Sequence, residues 1–198
     1  MTRAETGLTI ATLLVVGVLS RLLPHAPNFA PVTAIGLFSG AYMPRRYSLL
    51  TPLVVMLTSD YLLLYLNPFG AVRLDRLYAP WDLYHETLPY IYASLCISAL
   101  VGWLLARELR VLSITTGALF CSIQFFLITN AAVWIEGAYD RGLNGLWQSY
   151  VAGIPFFKGT LAGDLVYTAV FFGLYEFVRK KHVAREALRQ AHITANSP

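Results

Sequence analysis

Six runs of apolar residues follow one another along the chain, separated by polar or charged segments. They cover residues 7–23, 31–43, 48–66, 88–106, 111–134 and 159–178. An α-helix rises about 1.5 Å per residue, so each of the last four runs can cross the roughly 30 Å core of a bilayer. The second run reaches only roughly 20 Å. The pattern therefore predicts an all-α polytopic membrane protein, a six-helix transmembrane bundle whose second helix is short.

Basic residues predict the orientation of this bundle. They concentrate between the second and third runs, between the fourth and fifth, and after the sixth, at Arg45, Arg46, Arg107, Arg110, Arg179, Lys180, Lys181, Arg185 and Arg189. With six spans these places share one side, which the positive-inside rule assigns to the cytoplasm together with both termini. If residues 31–43 are re-entrant, the N-terminus moves to the other side and the charge pattern does not change. We favour six spans, and the re-entrant alternative stays open.

The composition agrees with a lipid environment. Hydrophobic residues make up 57% of the chain and charged residues 13%, with a mean hydropathy of +0.56. A chain of 198 residues cannot hide that much apolar surface from water, which excludes a soluble domain and a disordered chain. The net charge of +4 fits a cytoplasmic membrane face and does not indicate a nucleic-acid partner. Cys96 and Cys121 lie within apolar runs and are expected to be small buried hydrophobes.

The sequence lacks the motifs of several cofactor and metal sites. It contains no phosphate-binding Gly-x-x-x-x-Gly-Lys-Ser/Thr loop, no H-E-x-x-H motif and no Cys/His cluster. We therefore expect no cofactor and no metal, and we expect that the chain is not an enzyme.

Two carboxylates lie at membrane depth, where each costs roughly 2.5–3.5 kcal/mol unless it has a partner or a watery cavity. Asp60 and Asp164 both approach the outer side if the spans alternate. The same topology brings other polar and aromatic residues to that side, under the two long loops 67–87 and 135–158. The candidate ligand-binding residues are His25, Asn28, Asp60, Asn130, Trp134, Trp147, Lys158 and Asp164. Polar groups among aromatic side chains are typical of a small-molecule pocket.

Structural roles remain open for most of these residues. Asp60 could instead pair within the bundle, and Asp164 could complement the positive end of the sixth helix. Asn130 could satisfy a neighbouring backbone group, and the tryptophans could be interface anchors. His25 could be an ordinary loop histidine.

Small residues four apart mark candidate helix contacts. They occur as Gly7-x-x-x-Ala11, Gly36-x-x-x-Gly40 and Gly159-x-x-x-Gly163. Such pairs allow helix backbones to approach closely. One that faces lipid in the folded bundle would be a candidate docking surface for another membrane subunit.

Several motifs resemble an uncharacterised family of small bacterial membrane proteins. They are RLLPHAPNFAP at residues 21–31, AIGLFSGA at 34–41, SD at 59–60, NAAVW at 130–134 and GLWQSYVAGIPFFKGTLAGDLVYT at 145–168. The resemblance covers roughly residues 15–178, and it implies a location in the bacterial inner membrane. The last motif is the most specific.

The layout is similar, more distantly, to the S components of energy-coupling-factor vitamin transporters. The resemblance implies a six-helix bundle that binds a vitamin-like molecule on its outer side. A separate transmembrane coupling subunit and two ATPases would supply the energy. S components usually carry Ala-x-x-x-Ala on the first helix for docking, and this chain has only Gly7-x-x-x-Ala11.

These observations support three hypotheses. The preferred one is a substrate-binding membrane subunit for uptake of a small vitamin-like molecule, with one transmembrane domain at residues 1–178 and a basic cytoplasmic tail at 179–198. The alternative is an accessory subunit of a larger membrane complex with no ligand of its own. The third is an intramembrane aspartyl protease, because Asp60 and Asp164 resemble the paired aspartates of such enzymes. One glycine and the tyrosine of the motifs of those enzymes are missing here.

Overall fold

Six α-helices follow one another in the computed structural model, which describes residues 3–66, 79 and 83–195. They are α1 (Arg3–Leu22), α2 (Val32–Tyr42), α3 (Arg45–Tyr65), α4 (Leu88–Leu105), α5 (Val111–Ile135) and α6 (Leu143–Ala195). The predicted six-helix fold with a short second helix is confirmed. Most of the predicted long loop at 67–87 lies outside the described residues, as do residues 196–198 of the predicted tail.

Five of these helices, all except α2, are long and apolar enough to cross a membrane. Large apolar side chains point away from the bundle. Leu8 is 72% exposed and Val111 is 82% exposed. Exposed apolar surface on this scale is stable only in lipid, so the chain is an integral membrane protein.

The short helix α2 forms the centre of the bundle. It contacts all five other helices, and every residue from Val32 to Gly40 is buried. Its 11 residues extend about 16 Å. A helix that is apolar all round is stable when other helices surround it, which explains why the shortest run occupies the core.

The direction of α2 follows from its contacts with α6. Its first turn lies beside Asp164, whereas the Tyr42 hydroxyl at its other end donates a 2.7 Å hydrogen bond to Glu176. These two α6 residues are about 18 Å apart along the helix. Helix α2 therefore crosses the bundle and does not re-enter, so α1 begins at the Tyr42 end and α6 runs toward it. We call the opposite end, where α2 and α4 begin, the His25 end.

Two glycines bring α2 and α4 into backbone contact. A Cβ atom on Gly40 would overlap the carbonyl oxygen of Ala99, and one on Gly102 would overlap the carbonyl oxygen of Leu37. Gly36 also faces α4 but less tightly, since its Cβ would lie 3.0 Å from the Cβ of Ser98. The Gly36-x-x-x-Gly40 pair is therefore a helix contact, as the sequence predicts.

Polar side chains join α4 to α5 inside the bundle. The Ser94 hydroxyl donates to Gln124 Oε1 at 2.9 Å, and Gln124 Nε2 donates to the Ser94 carbonyl at 3.1 Å and to Ser98 Oγ at 3.2 Å. Hydrogen bonds of this kind hold membrane helices together because no water competes for the same groups.

Helix α6 differs from the prediction at both ends. The segment 135–158 was expected to be a long loop, but α6 begins at Leu143 and passes through Pro155. Tyr150 explains the difference, because its hydroxyl bonds the Leu127 carbonyl at 3.1 Å and its ring packs on Phe126. Packing on α5 therefore outweighs the helix-breaking tendency of proline. The 53 residues extend about 80 Å, so α6 continues through the predicted tail without a break.

Candidate functional site

A cavity of about 810 Å³ opens at the His25 end of the bundle. Its walls come from all six helices and from the connections before α2 and α4. The polar lining side chains are those of Arg21, His25, Asn28, Thr33, Asp60, His85, Thr87, Thr129 and Thr160. Apolar side chains line the rest, among them Met56, Leu63, Ile91, Leu95, Phe125 and Val133.

An ion pair between α1 and α3 lies in the cavity wall. Arg21 Nη1 is 2.7 Å from Asp60 Oδ1, and the two side chains are 16% and 17% exposed. The same nitrogen donates to Ser59 Oγ and, at 3.4 Å, to the Met56 carbonyl. Asp60 thus has the bundle partner that an acid at this depth requires, and it also lines the cavity.

Two polar atoms near this pair lack partners among the described residues. They are Asp60 Oδ2 and the Tyr92 hydroxyl, and both are buried. Tyr92 is close enough to interact electrostatically with Asp60 and with Arg21. Buried polar groups are normally satisfied, so these two atoms are exceptions. Neither atom is exposed to the cavity, and Tyr92 does not line it.

The connection between α1 and α2 closes one side of the cavity. Asn28 has a positive φ of 58° and lines the cavity. The chain here lies directly on α6, because a Cβ on Gly159 would overlap the Pro27 carbonyl oxygen and one on Gly163 would lie 3.1 Å from the Ala30 nitrogen. The pair Gly159-x-x-x-Gly163 therefore holds this connection against a helix, whereas the sequence predicts a helix–helix contact.

Two histidines lie at the rim. His25 Nδ1 donates to the Leu23 carbonyl at 2.6 Å, and His85 Nδ1 lies 2.8 Å from Thr87 Oγ1. Glu136, which follows α5, is close enough to His85 and Glu86 to interact with them electrostatically. Burial and the Glu86 carboxylate raise the pKa of Glu136, and the nearby His85 lowers it. The rim therefore carries both imidazoles and carboxylates.

Asp164 does not line the cavity. It is 1% exposed within the bundle, and its Oδ2 accepts a 2.6 Å hydrogen bond from Ser122. Thr33 and Ala34 at the start of α2 lie beside the carboxylate, whose buried Oδ1 has no hydrogen-bond partner among the described residues. A carboxylate at a helix N-terminus is stabilised by the helix dipole. Asp164 therefore complements the positive N-terminal end of α2, whereas the structural alternative from the sequence placed this role at the positive end of α6.

The two aspartates therefore have different partners, Arg21 and Ser122. The shared-proton pair of an aspartyl protease needs two carboxylates about 3 Å apart and in direct contact. No hydrogen bond joins Asp60 to Asp164 among the contacts of the described residues. The convergence of both acids on one pocket, which the sequence predicts, does not occur.

We expect Asp164→Leu to lower the free energy of unfolding by about 1–3 kcal/mol, because the Ser122 hydroxyl loses its acceptor and the N-terminus of α2 loses a neighbouring negative charge. Asp164→Asn keeps one acceptor oxygen and should cost less. Denaturation of the purified variants in mixed micelles measures both values. Asp164→Asn with unchanged stability but lost ligand retention would place Asp164 in the binding site instead.

Asn130 borders a second, smaller cavity of about 130 Å³, which also contacts Asn28, Thr129 and Thr160 of the main cavity. Its Nδ2 donates to the Phe126 carbonyl at 2.8 Å, and its backbone carbonyl accepts from Ser149 at 2.7 Å. The side chain therefore satisfies neighbouring backbone, as one of the structural alternatives proposes, while it remains next to the site.

Besides Asp164 and Asn130, three more predicted ligand-binding residues lie outside the lining of the main cavity. Trp134 Nε1 donates to the Asp140 carbonyl at 3.2 Å, so the indole belongs to the α5–α6 connection. Trp147 is 68% exposed, and Lys158 is exposed. Of the eight candidates, the main cavity contains His25, Asn28 and Asp60.

The sequence argument missed Arg21 as a site residue, although a signal was present. Arg21 lies at the end of the first span, and the topology that follows from the positive-inside rule places that end on the outer side. A charge in that place needs a partner, and Asp60 was the nearest acid at membrane depth. The apolar lining residues carried no such signal, because any apolar helix contains many similar residues.

The described residues contain no group of three or more His, Cys, Asp or Glu side chains arranged to hold a metal ion. The cavity therefore offers a ligand a guanidinium, imidazoles, hydroxyls and one amide, beside a carboxylate whose two oxygens are paired or buried.

Comparison with known proteins identifies a family. The chain belongs to DUF6580, a family of unknown function, whose sequence pattern matches residues 2–188. No curated protein and no solved structure matches the chain significantly.

Proposed function

We propose that this member of the DUF6580 family is a substrate-binding membrane subunit for uptake of a small vitamin-like molecule. The observation that supports the proposal most directly is the cavity of about 810 Å³ at the His25 end. Pockets for small ligands typically measure about 300–1,000 Å³ and combine apolar walls with a few polar groups. The cavity has both features. The proposal depends on the cavity and does not require Asp60 and Asp164 to lie in one pocket.

The proposal places the cavity outside the cytoplasm of a bacterial cell. Arg45 follows α2, and Arg179 and Lys180 lie about one turn beyond Glu176 on α6, so all three are at the end of the bundle opposite the cavity. The positive-inside rule favours the cytoplasm for that end and for both termini. In this orientation the site opens toward the side from which a nutrient arrives.

Separate subunits would supply the energy for uptake. The proposal follows the resemblance to S components of energy-coupling-factor transporters, in which a coupling subunit and two ATPases drive a small binding subunit. In this chain Gly7 and Ala11 are exposed on α1, and a Cβ on Gly7 would meet no atom within 4 Å. This small-residue face is open to close approach by another membrane helix.

We expect the purified protein to retain a small molecule, and we expect Ile91→Trp to lose it. Ile91 lines the cavity, so an indole there would overlap a ligand. A clash of about 1–3 kcal/mol weakens binding by about fivefold to a hundredfold. Mass spectrometry of compounds released on denaturation, normalised to protein, measures the difference.

The matched control is Leu100→Trp on the same helix. Leu100 is 42% exposed on the lipid-facing surface, so this variant should retain as much ligand as the wild type. If no compound is enriched in the wild type over Ile91→Trp, the proposal is wrong.

The exposed Gly7 and Ala11 also favour a second candidate, an accessory subunit of a larger membrane complex. The same purification in mild detergent separates the two. A stable complex that contains neither an ATPase nor a small molecule supports the accessory role. A complex with an ATPase or an enriched small molecule supports uptake.

A further inference from the structure

We infer that the molecule bound in the cavity carries an anionic oxygen group, a carboxylate or a phosphate, which the Nε–Nη2 edge of Arg21 recognises. This inference rests on the proposed function and adds the chemical class of the substrate. It follows from the way the guanidinium is held.

A single nitrogen, Nη1, makes all of the contacts between the Arg21 guanidinium and α3. Nη1 lies 2.7 Å from Asp60 Oδ1, and it also donates to Ser59 Oγ and to the Met56 carbonyl. A guanidinium is planar and rigid, so three acceptors around one nitrogen fix the direction of the other two. Asp60 acts as a positioning residue for Arg21 in this arrangement.

The other two nitrogens of Arg21 are not used by any contact among the described residues. Nε and Nη2 have no partner among the described residues, and neither is among the buried polar atoms that lack one. Both therefore reach open space, and Arg21 lines the cavity. Parallel N–H groups on this edge match the two oxygens of a carboxylate or phosphate, which Arg binds in a bidentate manner.

The rest of the lining agrees with an anion better than with a cation. Among the described lining residues, Arg21 and Asp60 are the only Arg, Lys, Asp or Glu side chains. Asp60 Oδ1 is already paired and its Oδ2 is buried, so a cationic ligand finds no accessible free carboxylate oxygen there. An anionic ligand finds two free N–H groups, with the Asn28 amide nearby as a further donor.

The experiment compares compounds released on denaturation from the wild type, Ile91→Trp, Arg21→Lys and Arg110→Lys. Lysine keeps the positive charge beside Asp60 but lacks the bidentate edge. Arg110→Lys is the matched control, since Arg110 is exposed and pairs with Glu108 at the opposite end of the bundle. Membrane lipids bound nonspecifically are common to all four samples and cancel in the comparison with Ile91→Trp.

The expected result is an enriched compound whose mass and fragmentation identify a carboxylate or a phosphate. Arg21→Lys should retain it about tenfold to a hundredfold less, the loss expected for a charged bidentate hydrogen bond. Arg110→Lys should retain it fully. The thermal unfolding temperature of ligand-free Arg21→Lys should stay near that of the ligand-free wild type, which separates a binding role from a structural one.

Two outcomes overturn the inference in different ways. A neutral or cationic compound, enriched over Ile91→Trp and retained by Arg21→Lys, refutes the anionic class and leaves the proposed function intact. The absence of any compound enriched over Ile91→Trp refutes the proposed function and this inference together.

Discussion

Gly40→Ala should lower the free energy of unfolding by about 3 kcal/mol or more, the upper end of the range for overpacked cores. The added methyl group would overlap the Ala99 carbonyl oxygen and approach Gly102 Cα to 2.9 Å. Both atoms belong to the α4 backbone, so no side-chain rotation can relieve the overlap. The two helices would have to separate, and α2 contacts every other helix of the bundle. Denaturation in mixed micelles, followed by circular dichroism, measures the change.

Two further glycines provide a graded control. Gly36→Ala should cost less, because its nearest neighbours are the Ser98 side chain at 3.0 Å and the Leu95 carbonyl at 3.2 Å. Gly7→Ala meets no atom within 4 Å and should be neutral or stabilise the helix by up to about 1 kcal/mol. Equal stabilities for the three variants would contradict the close α2–α4 crossing.

The second large effect concerns the ion pair in the cavity wall. Arg21→Met should destabilise the protein by about 2–3 kcal/mol, because it leaves the Asp60 carboxylate, only 17% exposed, without its partner. Asp60→Leu should have a similar effect, since it leaves the guanidinium unpaired. The double variant should be less destabilised than the sum, because removing both charges leaves no buried ion. A double-mutant cycle on unfolding free energies measures this coupling.

The pair formed by Glu108 and Arg110 is a suitable control for that cycle. Its side chains are 56% and 79% exposed, and its N–O distance is 2.6 Å. Solvent screens such a pair, so its coupling should lie below about 1 kcal/mol. If the Arg21–Asp60 coupling is equally small, the ion pair does not stabilise the cavity wall.

The number and positions of the helices could be predicted from the sequence, because hydrophobic length is a local property. The predicted run 88–106 corresponds to α4 at Leu88–Leu105, and the run 111–134 corresponds to α5 at Val111–Ile135. The burial cost of an acid is also local, which is why Asp60 could be expected to have a partner or a watery cavity. The start of α6 could not be predicted, since Pro155 and the surrounding glycines favour a loop until packing on α5 is known.

The candidate site was less predictable, because its residues come from all six helices and two connections. Topology alone brought His25, Asn28 and Asp60 to one end, and the cavity contains all three. The same reasoning placed Asp164 with them. Topology specifies the depth of a residue in the membrane but not the direction of its side chain, and Asp164 is directed at Ser122 and the start of α2.

The membrane environment, the six helices and the need to neutralise Asp60 all follow from the order of the residues, because each depends on the transfer of local groups between water and lipid. The central position of the shortest helix, the pairing of Arg21 with Asp60 and the cavity beside them became known only from the folded structure. These features depend on which faces of distant helices meet, and close packing, not hydropathy, selects those faces.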